Sequence, residues 1–165
     1  MKSIFYLLIT TLVFPILTQH AYASVPLSST VMIFNDHDLN ECSTAVNRAY
    51  KYGNDKVHLV PTIYAKLRKK KVKKYLYRDN HGKFQEFSDT YLKSYHTRLL
   101  SCIEHAKSLD MEIHLTPHID DASDKAIMRY FINYSPTQLY NGYSFAKIMF
   151  YYLNKLRLDT QKHTY

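Results

Sequence analysis

The chain has no tryptophan and only three glycines, five prolines and two cysteines in 165 residues. Without Trp, any surface that stacks on a planar or ring-shaped ligand must be built from tyrosine and phenylalanine. There is no low-complexity tract and no Pro/Gly-rich linker, so nothing marks a boundary between two ordinary domains. The apolar run from Ile4 to Leu17 is interrupted by Pro15 and falls short of the roughly 20 residues that a spanning helix needs. That argues against a permanent membrane anchor.

The N-terminus carries instead Lys2, this short apolar core and Ala21-Tyr22-Ala23 before Ser24, the small-x-small pattern of a cleaved secretory signal. The expectation is a signal peptide over 1–23 and one exported domain over 24–165, periplasmic or secreted. No cysteine follows the small residues, so a lipoprotein attachment site is not expected. Cys42 and Cys102 would both meet an oxidising compartment, where they can pair. Each also falls on the apolar stripe of a helical pattern, where cysteine packs as a small hydrophobe. The sequence leaves both states open.

The formal net charge is +8, and it is local. Lys66, Arg68, Lys69, Lys70, Lys71, Lys73, Lys74 and Arg78 lie in one stretch that contains no acidic residue. The remainder of the chain is close to neutral.

Three apolar segments end in polar or ionisable residues: Val31 to Asp38, Lys56 to Tyr64 and Met111 to Asp121. Helical patterns separate them, so repeated βα units and a parallel sheet are expected. Asp38 to Glu41 has capping-box spacing, and Leu39, Cys42, Ala45, Val46, Ala49 and Tyr50 recur at helical intervals up to Gly53. A second helix is expected from Ser88 or Asp89, with Leu92, Tyr95, Leu99, Ile103 and Ala106 on one face. A third begins near Asn141-Gly142, with Ala146, Met149, Phe150, Leu153 and Leu156 as its stripe. Between the second strand and the second helix, Lys73 to Arg78 and Lys83 to Phe87 flank Asp79-Asn80-His81-Gly82, which reads as a β-hairpin with a glycine turn. Pro136 limits any strand over Ile127 to Tyr134.

Side chains alternate along a strand, so Glu112, His114 and Thr116 share one face while Ile113 and Leu115 share the other. A parallel sheet covered on both faces is normally apolar on both. A polar face ending in ionisable residues is therefore read as the interior of a barrel whose mouth is a site.

The segments Val57-His-Leu-Val-Pro-Thr62 and Ile103 to Asp120, with His118 and Asp120 closing the third strand, resemble the first three strands of TIM-barrel glycoside hydrolases of the β-mannanase-like type. The resemblance implies an α/β fold, a partial (β/α)8 barrel of about three parallel βα units with an inserted basic hairpin. It further implies carbohydrate binding or glycosidic-bond hydrolysis, with His118 and Asp120 at the sugar-binding mouth. Such barrels need about 250 residues and eight strands, so the chain is expected to be a truncated relative, with no identifiable catalytic pair and no cofactor. Asp36 and Asp120 are the one carboxylate pair to test against the spacing that glycosidases require.

The candidate substrate-binding residues are Asp36, His37, His118, Asp120, Asp121, Tyr130 and Tyr134, with Phe131, Tyr140 and Tyr143 as further stacking faces. Asp38 serves equally well as a helix cap. His114 and His118 stand too far apart along an extended chain to form a metal pair, and no metal site is expected. Glu104 and His105 belong to an outward helix face. The expected partner is a polysaccharide or oligosaccharide. Unpaired sheet edges add the expectation of a homodimer or of a complementary chain supplying strands. The alternative function is an exported module in which Lys69, Lys70, Lys71, Lys73 and Lys74 bind a polyanion or envelope polysaccharide.

Overall fold

The computed structural model describes residues 27–123 and 129–149; the signal-like segment 1–23 and the third helical stripe from Phe150 onward lie outside the described residues. In chain order the elements are β1 (Ser28–Ile33), α1 (Asp36–Asn40), α2 (Cys42–Lys51), β2 (Lys56–Arg68), β3 (Lys71–Arg78), β4 (Phe84–Glu86), α3 (Asp89–Ser108), β5 (Glu112–Leu115) and β6 (His118–Asp121). A single 3-10 turn follows at Arg129–Phe131, and residues 145–149 are helical.

β2 is the spine of a six-stranded mixed sheet. Its first half pairs in parallel with β1 on one edge and with β5 on the other. Its second half pairs antiparallel with β3 and parallel with β6, and β4 extends the sheet beyond β3. The expected α/β class is present, and so are the parallel pairings of the three strands. The sheet is open, with no closure into a barrel among the described residues.

The spine runs through Pro61, as the sequence predicts, and continues past Tyr64 to Arg68 where it pairs with β3. Pro61 lies within β2 although proline lacks the N–H of an ordinary ladder residue. The carbonyl of Leu59 accepts from Thr116 N at 2.9 Å, so the odd residues of β2 point their backbone groups toward the edge shared by β5 and β6. Pro61 meets that edge at Thr116-Pro117, where the neighbouring strand is itself interrupted. The missing donor faces a gap. The third apolar segment therefore appears as two strands, β5 and β6, rather than one.

Val57, Leu59, Ile63 and Ala65 of β2 are fully buried on the face that carries the helices, packed with Val31 and Ile33 of β1, Val46 of α2 and Leu99, Ile103 and Ala106 of α3. Each large aliphatic side chain in such a position contributes roughly 1.5–3 kcal/mol. The helical stripe read for α3 is this buried face, and Ser88 caps the helix by accepting from Tyr91 N at 3.1 Å. The opposite face of the sheet carries Thr30, His58, Glu112 and His114, all exposed or half-buried. Farther along the same face Val60, Thr62 and Tyr64 of β2 are buried, so only its ends are solvated. The sheet is open among the described residues, so this alternation does not line a barrel.

The first helical pattern also differs in detail. Its N-cap is Asn35, whose Oδ1 accepts from Asp38 N at 2.9 Å, while Asp38 Oδ2 accepts from Phe34 N at 2.9 Å. This reciprocal cap sits three residues earlier than the spacing from Asp38 to Glu41 suggested, and it ends the first strand at Ile33. The helix then breaks at Glu41 into α1 and α2. Gly53, with φ +81°, follows the end of α2 as expected. Cys42 and Cys102 form a disulfide across α2 and α3, with their Cα atoms 5.8 Å apart.

β3 and β4 form the expected hairpin, with Asp79 Oδ1 accepting from His81 N and Lys83 N in its turn. A second hairpin, between β2 and β3, was hidden because its two turn residues are Lys69 and Lys70, at φ 51° and 63°. That left-handed pair is ordinarily Asn-Gly.

Candidate functional site

Register places the cations. Lys66 pairs with Lys74 and Arg68 with Lys71, so these four share one face, which continues inward to the buried Tyr64 and its partner Leu76. The ladder shifts between Lys66 and Leu67, leaving Lys73 as the extra residue of a bulge. A shallow groove of about 590 Å³ lined by Lys66, Leu67, Arg68, Lys73, Lys74, Glu86 and Asn141 results. Lys69 and Lys70 form the tip. Among the described residues, Lys74 alone of these hairpin cations has a carboxylate partner, Glu86. That contact and a hydrogen bond from Asn141 hold the Glu86 carboxyl below the usual range.

The cationic face runs toward a second cluster. Arg78 packs its guanidinium 5.3 Å from the ring centre of Tyr64 and 5.0 Å from that of Phe84. Tyr64 donates its hydroxyl to the carbonyl of Phe34 at 3.0 Å, and burial raises its pKa against the opposing pull of Arg78. Across β2, His118 pairs with Thr62 and Asp120 with Tyr64. Arg129 bridges the two: Nη1 lies 2.6 Å from His118 Nδ1 and Nη2 lies 3.1 Å from Asp120 Oδ1. A guanidinium only donates, so its close approach to the ring disfavours the imidazolium. Burial first, and the Arg129 charge second, lower the His118 pKa.

The other sequence candidates go elsewhere. Asp36 accepts from Tyr91 Oη at 2.7 Å and from Arg98 Nη2 at 2.9 Å, which ties the end of β1 to α3. It is turned toward α3, whereas Asp120 shares the face of Tyr64 and is held by Arg129, so the two do not face a common substrate. Burial and Asp36 together push the Tyr91 hydroxyl far above the ordinary tyrosine range. His37 is exposed in α1. Asp121 accepts from Ser123 N at 3.0 Å and closes a local turn. Tyr134 packs inward, 5.3 Å from Phe145, and is a core-edge residue rather than a stacking face. Tyr140 stacks edge-on against Tyr75, and Tyr143 donates to Asp89 at 3.1 Å. His105 is half-buried with Nε2 2.9 Å from Asn47 Oδ1 of α2, so it joins two helices instead of facing outward. Tyr130 and Phe131 are exposed.

His58 and His114, neighbours in register, bring their rings to 4.7 Å, and Glu112 accepts from His114 at 2.5 Å and from Lys56 at 2.9 Å. Among the described residues no group of three or more His, Cys, Asp or Glu side chains is placed to hold a metal ion. None of the described helices is long and apolar enough to cross a membrane.

Sequence reasoning named the lysines and His118 with Asp120 but not Arg129 or Arg78. Arg129 stands eleven residues from its histidine partner, beyond any local spacing rule. Arg78 was counted as charge, and its two aromatic contacts come from β2 and β4, which only the sheet brings together. Comparison with family models, with curated proteins and with solved structures finds no match to the chain.

Proposed function

We propose that the protein is an exported binding module for an acidic polymer of the cell envelope, with the β2–β3 hairpin as its contact surface. One observation carries this reading: Lys66, Arg68, Lys69, Lys70, Lys71 and Lys73 gather on one hairpin with no carboxylate partner among the described residues. Six cations on two paired strands and the turn between them raise the local concentration of a polyanion and release its counterions on contact. The Cys42–Cys102 disulfide is compatible with an oxidising compartment, in keeping with the secretory pattern at the N-terminus.

Binding is favoured over cleavage. Hydrolysis of a glycosidic bond needs two carboxyl groups flanking the scissile bond. Asp36 is engaged by Arg98 and Tyr91, and Asp120 by Arg129. On this reading the three parallel strands serve as the scaffold that presents the hairpin.

Retention on an immobilised sulfated glycan, eluted with a salt gradient, tests the reading. Charge reversal of Lys69, Lys70 and Lys71 together is expected to move elution to markedly lower salt. Unchanged elution of this variant, with its circular dichroism intact, would refute the assignment of the hairpin as the contact surface.

A further inference from the structure

The 3-10 turn Arg129–Phe131 is fastened directly to the hairpin tip. Asn133 N donates to the Lys70 carbonyl at 2.8 Å and Val72 N donates to the Asn133 carbonyl at 3.4 Å, while Ile132 beside them is buried. Arg129 secures the other end of the turn to Asp120 of β6. Between these attachments two large aromatic side chains are held outward: Tyr130 is 71% exposed and Phe131 is 51% exposed. Exposing that much aromatic surface beside a cluster of cations forgoes the burial that such side chains normally gain. Their ring centres lie 4.4 Å apart with the planes inclined by 54°, and Lys70 Nζ stands 4.9 Å from the centre of the Phe131 ring.

We infer that Tyr130 and Phe131 form a stacking platform for the sugar rings of an acidic glycan whose charged groups are held by the hairpin tip. This rests on the polyanion-binding reading and narrows it to a ligand that carries ring faces as well as charge. Aromatic faces attract the C–H-bearing face of a pyranose, and the Lys70 ammonium beside Phe131 places a cation within reach of a carboxylate or sulfate on the same residue.

Two probes of similar charge separate the contributions. One is a heparin octasaccharide, which has ring faces, and the other is short-chain inorganic polyphosphate, which has none. Affinities of the whole protein are measured by titration calorimetry at low salt. Phe131→Ala is expected to weaken octasaccharide binding about three- to tenfold, the size of a lost aromatic contact, and to leave polyphosphate binding unchanged. Lys70→Ala is expected to weaken both. Equal effects of Phe131→Ala on the two probes, or no effect on either, would overturn the platform while leaving the polyanion reading intact. Tighter, Phe131-dependent binding of single-stranded DNA would overturn the assignment to glycans. Failure of the wild-type protein to bind either probe would overturn both the platform and the reading beneath it. Because Phe131 is exposed, an unchanged thermal transition is the expected control.

Discussion

Removing the disulfide by the paired substitution Cys42→Ala and Cys102→Ala tests how the two helices are held against the sheet. The bridge closes a loop of 60 residues between α2 and α3. In the chain-entropy model a loop of that length restricts the unfolded ensemble by about 4 kcal/mol at 25 °C. Both cysteines are buried to within 1% of complete, and alanine leaves each position apolar, so the loss on the folded side is small by comparison. The expected outcome is a fall of about 3–4 kcal/mol in unfolding free energy by urea denaturation. The denaturant slope should rise, since the unlinked chain exposes more surface when unfolded. A thiol reductant should cleave the buried bridge of the native wild-type protein only as fast as the structure opens. Less than about 1 kcal/mol of destabilisation, with the slope unchanged, would refute the loop-closure reasoning.

Asp36→Ala should destabilise the fold by about 2–3 kcal/mol, because it strips a partly buried Arg98 and the Tyr91 hydroxyl of their shared acceptor; denaturation of the variant reads this directly. Replacing Lys69-Lys70 with Asn-Gly should stabilise the β2–β3 hairpin by about 1–2 kcal/mol, since both positions are left-handed, while weakening polyanion binding. A stability gain with undiminished binding would separate the tip from the contact surface. His118 has a lowered folded-state pKa, so below about pH 6.5 the unfolded chain takes up protons that the folded state resists. Its contribution is therefore absent at higher pH and becomes destabilising as pH falls from about 6.5 toward the folded pKa. His118→Gln should flatten the stability profile across that window, measured by thermal denaturation at a series of pH values.

Much of the framework was readable from periodicity. The α3 stripe with its Ser88 cap, the three parallel strands and the β3–β4 turn follow from spacing and side-chain type, because burial on one face imposes a regular pattern. What was hidden depended on partners distant in sequence. The second strand was legible through Pro61, but the division of the third segment into β5 and β6 at Thr116-Pro117 was not, because it is set by pairing against β2. The Lys69-Lys70 turn lacks the glycine that advertises such a geometry. The same alternation of polar and apolar residues fits a barrel interior or an open sheet, and the count of paired strands decides between them. At the candidate site, the cations were evident as composition, but their arrangement on one face required the register of β2 against β3. Asp36 looked like a site carboxylate because it follows a strand, and its engagement by α3 could not be seen without the packing of that helix.

The most direct measurement of the central claim is the affinity of the intact protein for a heparin octasaccharide as a function of salt concentration. The logarithm of the binding constant is expected to fall linearly with the logarithm of salt, with a slope of about −4 for six hairpin cations engaged, and reversal of Lys69, Lys70 and Lys71 to reduce its magnitude by about 2 or more. Binding that ignores salt, or a slope unaltered by those three substitutions, would contradict it.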